Sequence, residues 1–224
     1  MKISSSFSRI TPASTPKSVL LRIHPDNPDA RRLDQAVRAL RSDGVLVVPT
    51  DTVYSFACAL GSSKGLEQLA RLKGIRPEKA NFSLLCADLS MISAFTKPLG
   101  NDVFKLMKRA LPGPYTFILE ASSQVPKWFT SNRKAIGIRV PDHPVAQALL
   151  AAHGAPLVVT SVHDDDEVLE YTTDPELIDE RYGDRVEFVI DGGYGHLHAS
   201  TVIDCTGATP EVVREGLGPV EGLL

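Results

Sequence analysis

The sequence predicts a single α/β domain in which helices pack on a largely central sheet. Amphipathic segments alternate along the chain with short apolar runs, and this alternation is typical of helices and strands that share one core. The chain has 224 residues, enough for one sizeable core, and no internal repeat or low-complexity block divides it. Hydrophobic residues make up 43% of the chain and charged residues 23%, the balance of an ordinary globular domain.

The first predicted elements are a helix and a strand. Asn27 followed by Pro28 indicates an N-cap and a proline at the first helical position. Apolar residues between Leu33 and Leu40 then fall on one helical face, and Gly44 ends the helix. Residues 45–48, which are all apolar, follow as a buried strand.

The later elements continue this pattern to the C-terminus. The remaining predicted helices are residues 64–73, 102–110, 144–153 and 175–182. The helix at residues 144–153 begins at Pro144 and is closed by Gly154. The remaining predicted strands are residues 82–86, 115–120, 135–140, 157–160, 186–190, 201–204 and 211–214.

Residues 1–22 are predicted to be a flexible tail that precedes one domain of residues 23–224. The tail contains Lys2, Arg9, Lys17 and Arg22, several serines and threonines, and no acidic residue. This composition is found in organelle transit peptides and also in frayed N-terminal tails, so both interpretations stay open. We predict no regular structure for it.

Charge and cysteine usage exclude several classes of protein. The net charge of −3 argues against a protein that coats nucleic acid, although a local basic cleft remains compatible with it. No apolar run is long enough to cross a bilayer, so no membrane partner is expected. The three cysteines are widely spaced and odd in number, which fits neither a disulfide framework nor a zinc site. A reducing compartment, and hence the cytoplasm, is the predicted location.

A polar turn follows the first predicted strand. Residues 49–54 read PTDTVY, which places two hydroxyls, a carboxylate and a phenol at the end of an apolar strand. Such groups are costly to bury unless they find hydrogen-bond partners. The turn is therefore a candidate ligand-binding segment.

An arginine lies in the middle of another predicted strand. Side chains alternate faces along a strand, so Gly137 and Arg139 share one face of residues 135–140. A guanidinium beside a glycine that clears space is suited to a carboxylate or phosphate. Arg139 is interpreted either as an anion-binding residue or as half of a structural ion pair with a core carboxylate.

Two further stretches carry weaker signals. Lys73 and Arg76 end a predicted helix, where cations also occur simply because they complement the helix dipole. Thr116 begins a strand after a turn rich in proline and glycine, and turn chemistry alone explains that turn.

No dedicated protein metal site is predicted. The acidic run at residues 163–167 and the pair His196 and His198 lack convincing ligand spacing. Glycine-rich phosphate loops and nucleophile elbows are also absent from the sequence. Any catalysis must therefore come from the positioning of groups and from charge.

Taken together, six stretches resemble the YrdC/TsaC family of threonylcarbamoyl-AMP synthases, and most closely its YciO-like branch. The resemblance covers the chain from about Ile23 to Leu224. The six stretches are PTDTVY at 49–54, KGIRPEKANFSLL at 73–85, PGPYTFIL at 112–119, IGIRVPDHP at 136–144, STVIDCT at 200–206 and VVREGLGPVE at 212–221. Each is weak alone, but six in one order are specific.

The resemblance implies a fold and a reaction. The fold would be an open, twisted α/β sheet with flanking helices around a large, concave, basic cleft. The reaction would convert L-threonine, bicarbonate and ATP to threonylcarbamoyl-adenylate and pyrophosphate, with Mg²⁺ carried in on the ATP. The adenylate serves the modification of adenosine 37 in tRNA. Family members are also described as binding double-stranded RNA through the cleft.

The resemblance also implies roles for particular residues. Lys73 and Arg76 would be the catalytic cations. On the threonine side, Arg139 would pair with the carboxylate and Thr52 would hydrogen-bond the amino acid. The remaining residues implied to line the site are Cys86 and Ser200 near threonine and Asn81, Thr116, Ser161 and Arg214 near ATP.

Four positions depart from the family's usual pattern. Lys73 and Arg76 are separated by two residues instead of one, and His163 stands in place of an asparagine two residues after Ser161. Ser55-Phe56 follows the tyrosine of the polar turn in place of Gly-Leu, and Cys86 occupies the position of a histidine. The alternative function is therefore a paralogue with little synthase activity that binds nucleotide or double-stranded RNA in the cleft.

Overall fold

The described residues form one mixed sheet flanked by six helices. The computed structural model describes residues 19–77, 80–126, 129, 134–162 and 172–223. The strands are β1 (Val19–Arg22), β2 (Leu46–Val48), β3 (Ser55–Ala59), β4 (Ser83–Leu85), β5 (Tyr115–Glu120), β6 (Ala135–Arg139), β7 (Leu157–Ser161), β8 (Phe188–Asp191), β9 (Thr201–Asp204) and β10 (Glu211–Arg214). The helices are α1 (Ala30–Arg41), α2 (Ser63–Leu72), α3 (Leu89–Phe95), α4 (Asn101–Ala110), α5 (Pro144–His153) and α6 (Pro175–Tyr182).

The ten described strands lie in the order β1-β8-β2-β3-β7-β4-β6-β5-β9-β10. Strand β8 is parallel to both β1 and β2, and the pairs β4–β6 and β5–β9 are also parallel. The other five neighbouring pairs are antiparallel. The predicted α/β class with an open sheet is confirmed.

Apolar cores lie on both faces of the sheet, and they are covered by different helices. On one face α1 and α5 pack over the strands toward the β1 end, including β2, β3 and β7. On the other face α2, α3, α4 and α6 contribute to a larger cluster centred on side chains such as Phe56 and Phe117. Beyond α1 and α5, their face of the sheet continues over β4, β6, β5 and β9 as the floor of a cleft.

Side-chain caps explain where several helices begin. Asp29, rather than the predicted Asn27, caps α1 by accepting a hydrogen bond from the backbone N of Arg32 at 2.9 Å. Ser62 and Asp88 cap α2 and α3 in the same way. The predicted end of α5 at Gly154 is confirmed, and its φ of 76° is the left-handed conformation that glycine favours.

The predicted tail boundary at residue 22 is wrong. Val19–Arg22 forms strand β1, parallel to β8. Leu21 is buried there, and its apolar contacts lie in the cluster beneath α1 and α5. The short apolar run of residues 19–21 was a local sign of a strand, but its partner β8 lies far away in sequence.

Strand β3 and helix α3 are present but were not predicted. The sequence of β3 is SFACA, in which small residues weaken the apolar alternation. Helix α3 has only seven residues, too few for a clear helical period. Both elements are fixed by packing, since Phe56 and Ile92 are fully buried.

None of the helices in the described part of the chain is both long enough and apolar enough to cross a membrane.

Candidate functional site

The cleft brings together most of the residues that the sequence analysis selected. It encloses a cavity of about 970 Å³ over the exposed part of the sheet face. Eight predicted site residues line it: Thr52, Lys73, Asn81, Thr116, Arg139, Ser161, Ser200 and Arg214. They come from separate motifs of the chain, so the fold and not local sequence unites them.

The centre of the cleft floor is built around a glycine. Ser83 on β4 and Ile118 on β5 lie beside Gly137 on β6, and all three face the cavity. A Cβ atom at Gly137 would sit 2.6 Å from Ser83 Oγ and 3.3 Å from the Cγ2 atom of Thr116. Because glycine has no side chain, no side-chain atoms project from the sheet at this point, which leaves room for a ligand.

Arg139 is held on the cleft wall by the polar turn (residues 49–54). Its Nη2 donates to Asp51 Oδ1 at 2.5 Å, and its Nη1 donates to Thr52 Oγ1 at 2.6 Å. The side chains of Arg139 and Asp51 are only 8% and 12% exposed. Burial lowers the pKa of Arg139, whereas the charge of Asp51 and the hydrogen bond to it raise the pKa. The guanidinium keeps its charge, because arginine is not deprotonated in proteins.

Hydrogen bonds within the polar turn explain why a buried strand can end in PTDT. Thr50 Oγ1 donates to the backbone O of Val53 at 2.8 Å and lies 3.1 Å from Thr52 Oγ1. The hydroxyl of Tyr54 donates to the backbone O of Gly193 at 2.5 Å. Each buried hydroxyl therefore has a partner, and the turn presents Thr52 and Asp51 to Arg139.

The opposite wall carries a second hydroxyl pair beside a cation. Thr116 Oγ1 and Ser200 Oγ are 2.7 Å apart and both residues are buried. Arg214 Nη2 donates to the backbone O of Ser200 at 3.0 Å. Arg214 is on the edge strand β10, opposite Val202 of β9. Two arginines from different strands therefore face one cavity.

The described lining of the cleft is basic. Its charged residues are Lys73, Glu120, Lys134, Arg139 and Arg214. The acid among them, Glu120, accepts from Lys97 Nζ at 3.0 Å. Asp51 offsets the charge of Arg139. The excess positive charge of the lining therefore comes from Lys73, Lys134 and Arg214, although the whole chain has a net charge of −3.

Two predicted site residues do not line the cavity. Cys86 is fully buried in the core on the other face of the sheet, because side chains alternate after Ser83 and Leu85. Burial raises the pKa of its thiol to about 12, so it stays neutral. Arg76 is exposed and lies outside the cavity, after a left-handed turn at Gly74 with φ 65°.

The structure adds two residues that the sequence analysis did not select. Asp51 is the carboxylate that pairs with Arg139, and Lys134 is a further cation of the cavity. Asp51 was detectable, since the sequence left open an ion pair between Arg139 and a core carboxylate. Lys134 lies just before β6 and has no sequence signal of its own.

No group of three or more His, Cys, Asp and Glu side chains within the described ranges could hold a metal ion. The acidic run at residues 163–167, and with it the replacement His163, lies outside the described residues.

The chain belongs to the Sua5/YciO/YrdC family. The family model, described as "Telomere recombination", matches residues 38–216. The family includes threonylcarbamoyl-AMP synthases, and one of these, from Halorhodospira halophila, is 30% identical over 172 residues, covering 77% of this chain and 88% of the relative.

Within the family, the chain is similar to the "Uncharacterized protein YciO" of Escherichia coli. The two are 44% identical over 204 residues, which is 90% of this chain and 97% of YciO. The crystal structure of E. coli YciO superimposes with a TM-score of 0.86 and 42% identity, covering 92% of this chain and 100% of that one. The predicted resemblance and its YciO-like branch are confirmed.

A more distant structure shares the fold. P. abyssi Sua5 complexed with L-threonine superimposes with a TM-score of 0.80 at 23% identity, covering 89% of this chain and 58% of Sua5. The fold is therefore shared by proteins that differ widely in sequence.

Proposed function

We propose that the cleft binds a nucleoside triphosphate and a small carboxylic acid together and transfers the nucleotidyl group to the acid. The observation that carries this proposal is the convergence of Lys73, Arg139 and Arg214 on one cavity of about 970 Å³. Ligand pockets commonly occupy about 300–1,000 Å³, so this cavity has room for two reactants. Lining cations would offset the negative charge of both.

The reaction proposed is that of a threonylcarbamoyl-AMP synthase. L-threonine and bicarbonate form a carbamate with loss of water. The carbamate oxygen attacks the α-phosphorus of ATP, and pyrophosphate leaves. Nucleophile and leaving group are both anionic, so catalysis requires charge neutralisation and alignment. Arg139 would bind the carboxylate of threonine beside Thr52, with Ser200 lining the same pocket. Asn81, Thr116, Ser161 and Arg214 would surround the ATP, and Lys73 would approach its phosphates.

Support for an amino-acid substrate also comes from the relatives. Synthases that act in threonylcarbamoyl-AMP formation are members of the family, and the Sua5 structure carries L-threonine. Mg²⁺ would accompany the triphosphate, because phosphates and water supply most of its ligands in such sites. ATP-dependent tRNA modification in the cytoplasm is the setting that this proposal implies.

The direct assay is the release of pyrophosphate from ATP. We expect release that requires both L-threonine and bicarbonate, with threonylcarbamoyl-AMP as the co-product identified by mass spectrometry. Omission of threonine and omission of bicarbonate are the controls. Pyrophosphate release that does not depend on threonine would indicate a different acceptor acid. The absence of any release would refute the proposed synthase activity.

Filling the cleft floor should weaken ligand binding without unfolding the protein. We expect the double variant Ser83→Ala/Gly137→Val to bind ATP or threonine about 10- to 200-fold more weakly, the effect of one or two misplaced methyl groups. Ser83→Ala removes the hydroxyl that the new Cβ would meet and serves alone as the matched control. Calorimetric titration gives the affinities. Wild-type affinity in the double variant would place the ligand away from Gly137.

A second candidate function is the binding of nucleotide or double-stranded RNA with little synthase activity. The observation that favours it is that Arg76 and Cys86, both at positions that the family pattern implies for the site, lie outside the cavity. Phosphate contacts make the logarithm of the binding constant fall linearly with the logarithm of salt concentration, with a slope of about −0.9 per contact for duplex DNA. We expect a steep slope under this candidate, and an affinity that is insensitive to salt would exclude it.

A further inference from the structure

Strand β10, which carries Arg214, lies at the edge of the described sheet and pairs with β9. It has four residues and none of them is buried: Val212 is half-buried and the others are exposed. The register of a strand is strongly specified where one face of the strand is buried, and only weakly where it is not. The side chains of β10 therefore do not by themselves fix how it aligns with β9.

The observed register of β10 contains an irregularity next to Arg214. Val212 is opposite Ile203 and Arg214 is opposite Val202, so Val213 is an extra residue and forms a β-bulge. Because opposite residues share a face of a sheet, Arg214 lies on the face of Val202, and both line the cavity. In a regular pairing Val213 would be opposite Val202, and Arg214 would turn to the other face. The bulged register therefore decides whether the guanidinium reaches the cleft.

The segment that directly follows β10 is held by a threonine of β9. Thr201 Oγ1 accepts from the backbone N of Gly216 at 2.9 Å and donates to the backbone O of Gly218 at 2.6 Å. The backbone N of Leu217, between these glycines, donates to the O of Ala199 at 2.8 Å. Thr201 is fully buried and does not line the cavity. We call these three hydrogen bonds the Thr201 clamp.

The Thr201 clamp fits only one alignment of the chain, because it depends on two close backbone approaches. A Cβ atom at Gly216 would sit 2.6 Å from the backbone C of Ser200 and 2.7 Å from its O. A Cβ atom at Gly218 would sit 2.5 Å from the Cε1 atom of Tyr115. A shift of the register by one residue would bring Glu215 to the position of Gly216, where its Cβ could not be accommodated. The clamp is therefore specific for the bulged register.

We propose that Thr201 is a positioning residue, whose hydroxyl holds the segment after β10 in the bulged register and so keeps Arg214 facing the cleft. A hydroxyl both donates and accepts, so this one side chain makes two of the three hydrogen bonds of the clamp. In the bulged register Arg214 Nε and Nη2 donate to the backbone O of Ser200 at 3.3 Å and 3.0 Å. The consequence for ATP rests on the proposed function, but the positioning itself does not.

The test reads the register directly, through nuclear Overhauser contacts between backbone protons of Arg214 and Val202. Thr201→Val keeps the shape of the side chain but removes the hydroxyl, and Thr201→Ser keeps the hydroxyl. We expect wild type and Thr201→Ser to show the contacts between Arg214 and Val202. Thr201→Val should lose them and show contacts between Val213 and Val202 instead. Melting temperatures of both variants provide the control for folding.

Deletion of Val213 separates an effect on register from a general loss of stability. Without this residue, Arg214 follows Val212 directly and lies opposite Val202 in a regular pairing, so no bulge has to be held. The side chain of Val213 is 61% exposed, so its removal costs little packing. We expect Thr201→Val combined with the deletion to regain the contacts between Arg214 and Val202.

Three outcomes would overturn the proposal. The first is that contacts between Arg214 and Val202 persist in Thr201→Val, the second is that Thr201→Ser loses them equally, and the third is that the deletion does not restore them. Should Thr201→Val fail to fold, amide hydrogen exchange of the wild-type protein decides. The amide of Gly216 and the protected amides of β10 must open with equal free energies, as members of one cooperative unit do. A clamp that opens while β10 stays closed would refute the coupling.

A ligand titration then separates this proposal from the proposed function. We expect Thr201→Val to bind ATP at least tenfold more weakly than wild type, the effect of losing one charge-assisted hydrogen bond. It should lose less affinity for threonine, which Arg139 would hold on the opposite wall. Wild-type protein that binds neither ligand would refute the proposed function, while the Overhauser contacts would still decide whether Thr201 sets the register. Unchanged ATP affinity in a variant that has lost those contacts would refute the link between register and ATP binding.

Discussion

Replacing Arg139 with alanine is expected to lower the free energy of unfolding by about 3–5 kcal/mol and to abolish binding of the acid substrate. The loss of stability follows because the variant leaves the carboxylate of Asp51 buried without its cationic partner. The loss of binding follows because no other described cation of the cavity is held by the polar turn beside Thr52. Denaturant unfolding and calorimetric titration with threonine measure the two effects.

A double variant separates the two roles of Arg139. Asp51→Asn/Arg139→Met removes both charges together, and replacing a buried ion pair by uncharged groups is often nearly neutral for stability. We expect most of the stability to return while threonine binding stays absent. An Arg139→Ala variant with wild-type affinity for threonine would show that the guanidinium is only structural. One with wild-type stability would show that the ion pair is not buried in solution.

Lys73 and Arg76 should differ sharply although only two residues separate them. Lys73 lines the cavity and Arg76 is exposed outside it. We expect Lys73→Ala to lower the rate of pyrophosphate release about 100- to 1,000-fold, the usual effect of removing one group that stabilises transition-state charge. Arg76→Ala is the matched control and should remain within about threefold of wild type, because its charge is screened by solvent.

Equal losses in Lys73→Ala and Arg76→Ala would contradict this assignment. Such a result would mean that the segment after α2 rearranges when substrate binds and brings Arg76 to the phosphates. A wild-type rate of pyrophosphate release in Lys73→Ala would show that Lys73 is not a catalytic residue.

Much of the cleft could be predicted because strand alternation is a strong local rule. Gly137 and Arg139 were expected on one face of a strand, and both line the cavity. The polar turn was expected to be a binding segment, and the structure shows how its hydroxyls are satisfied. The same alternation could have excluded Cys86, since it lies three residues after Ser83 and therefore faces the other side of the sheet.

The parts that escaped prediction depend on contacts between distant segments. Strand β1 pairs with β8, and the apolar run of residues 19–21 alone does not identify that partner. Gly74 after α2 is a usual site for a left-handed residue, and its φ is 65°. Where the chain then carries Arg76 depends on the fold. His143 was part of a recognised motif, but its place beside Gly192 required the fold.

The central claim is that cations from separate motifs bind a nucleotide and an acid side by side in one cleft. A crystal structure with L-threonine and α,β-methylene ATP, which cannot release pyrophosphate, tests it most directly. We expect the threonine carboxylate on Arg139 and the triphosphate beside Lys73, both above Gly137. A nucleotide bound elsewhere on the surface, with the cleft between Arg139 and Arg214 empty at saturating ligand, would contradict the account.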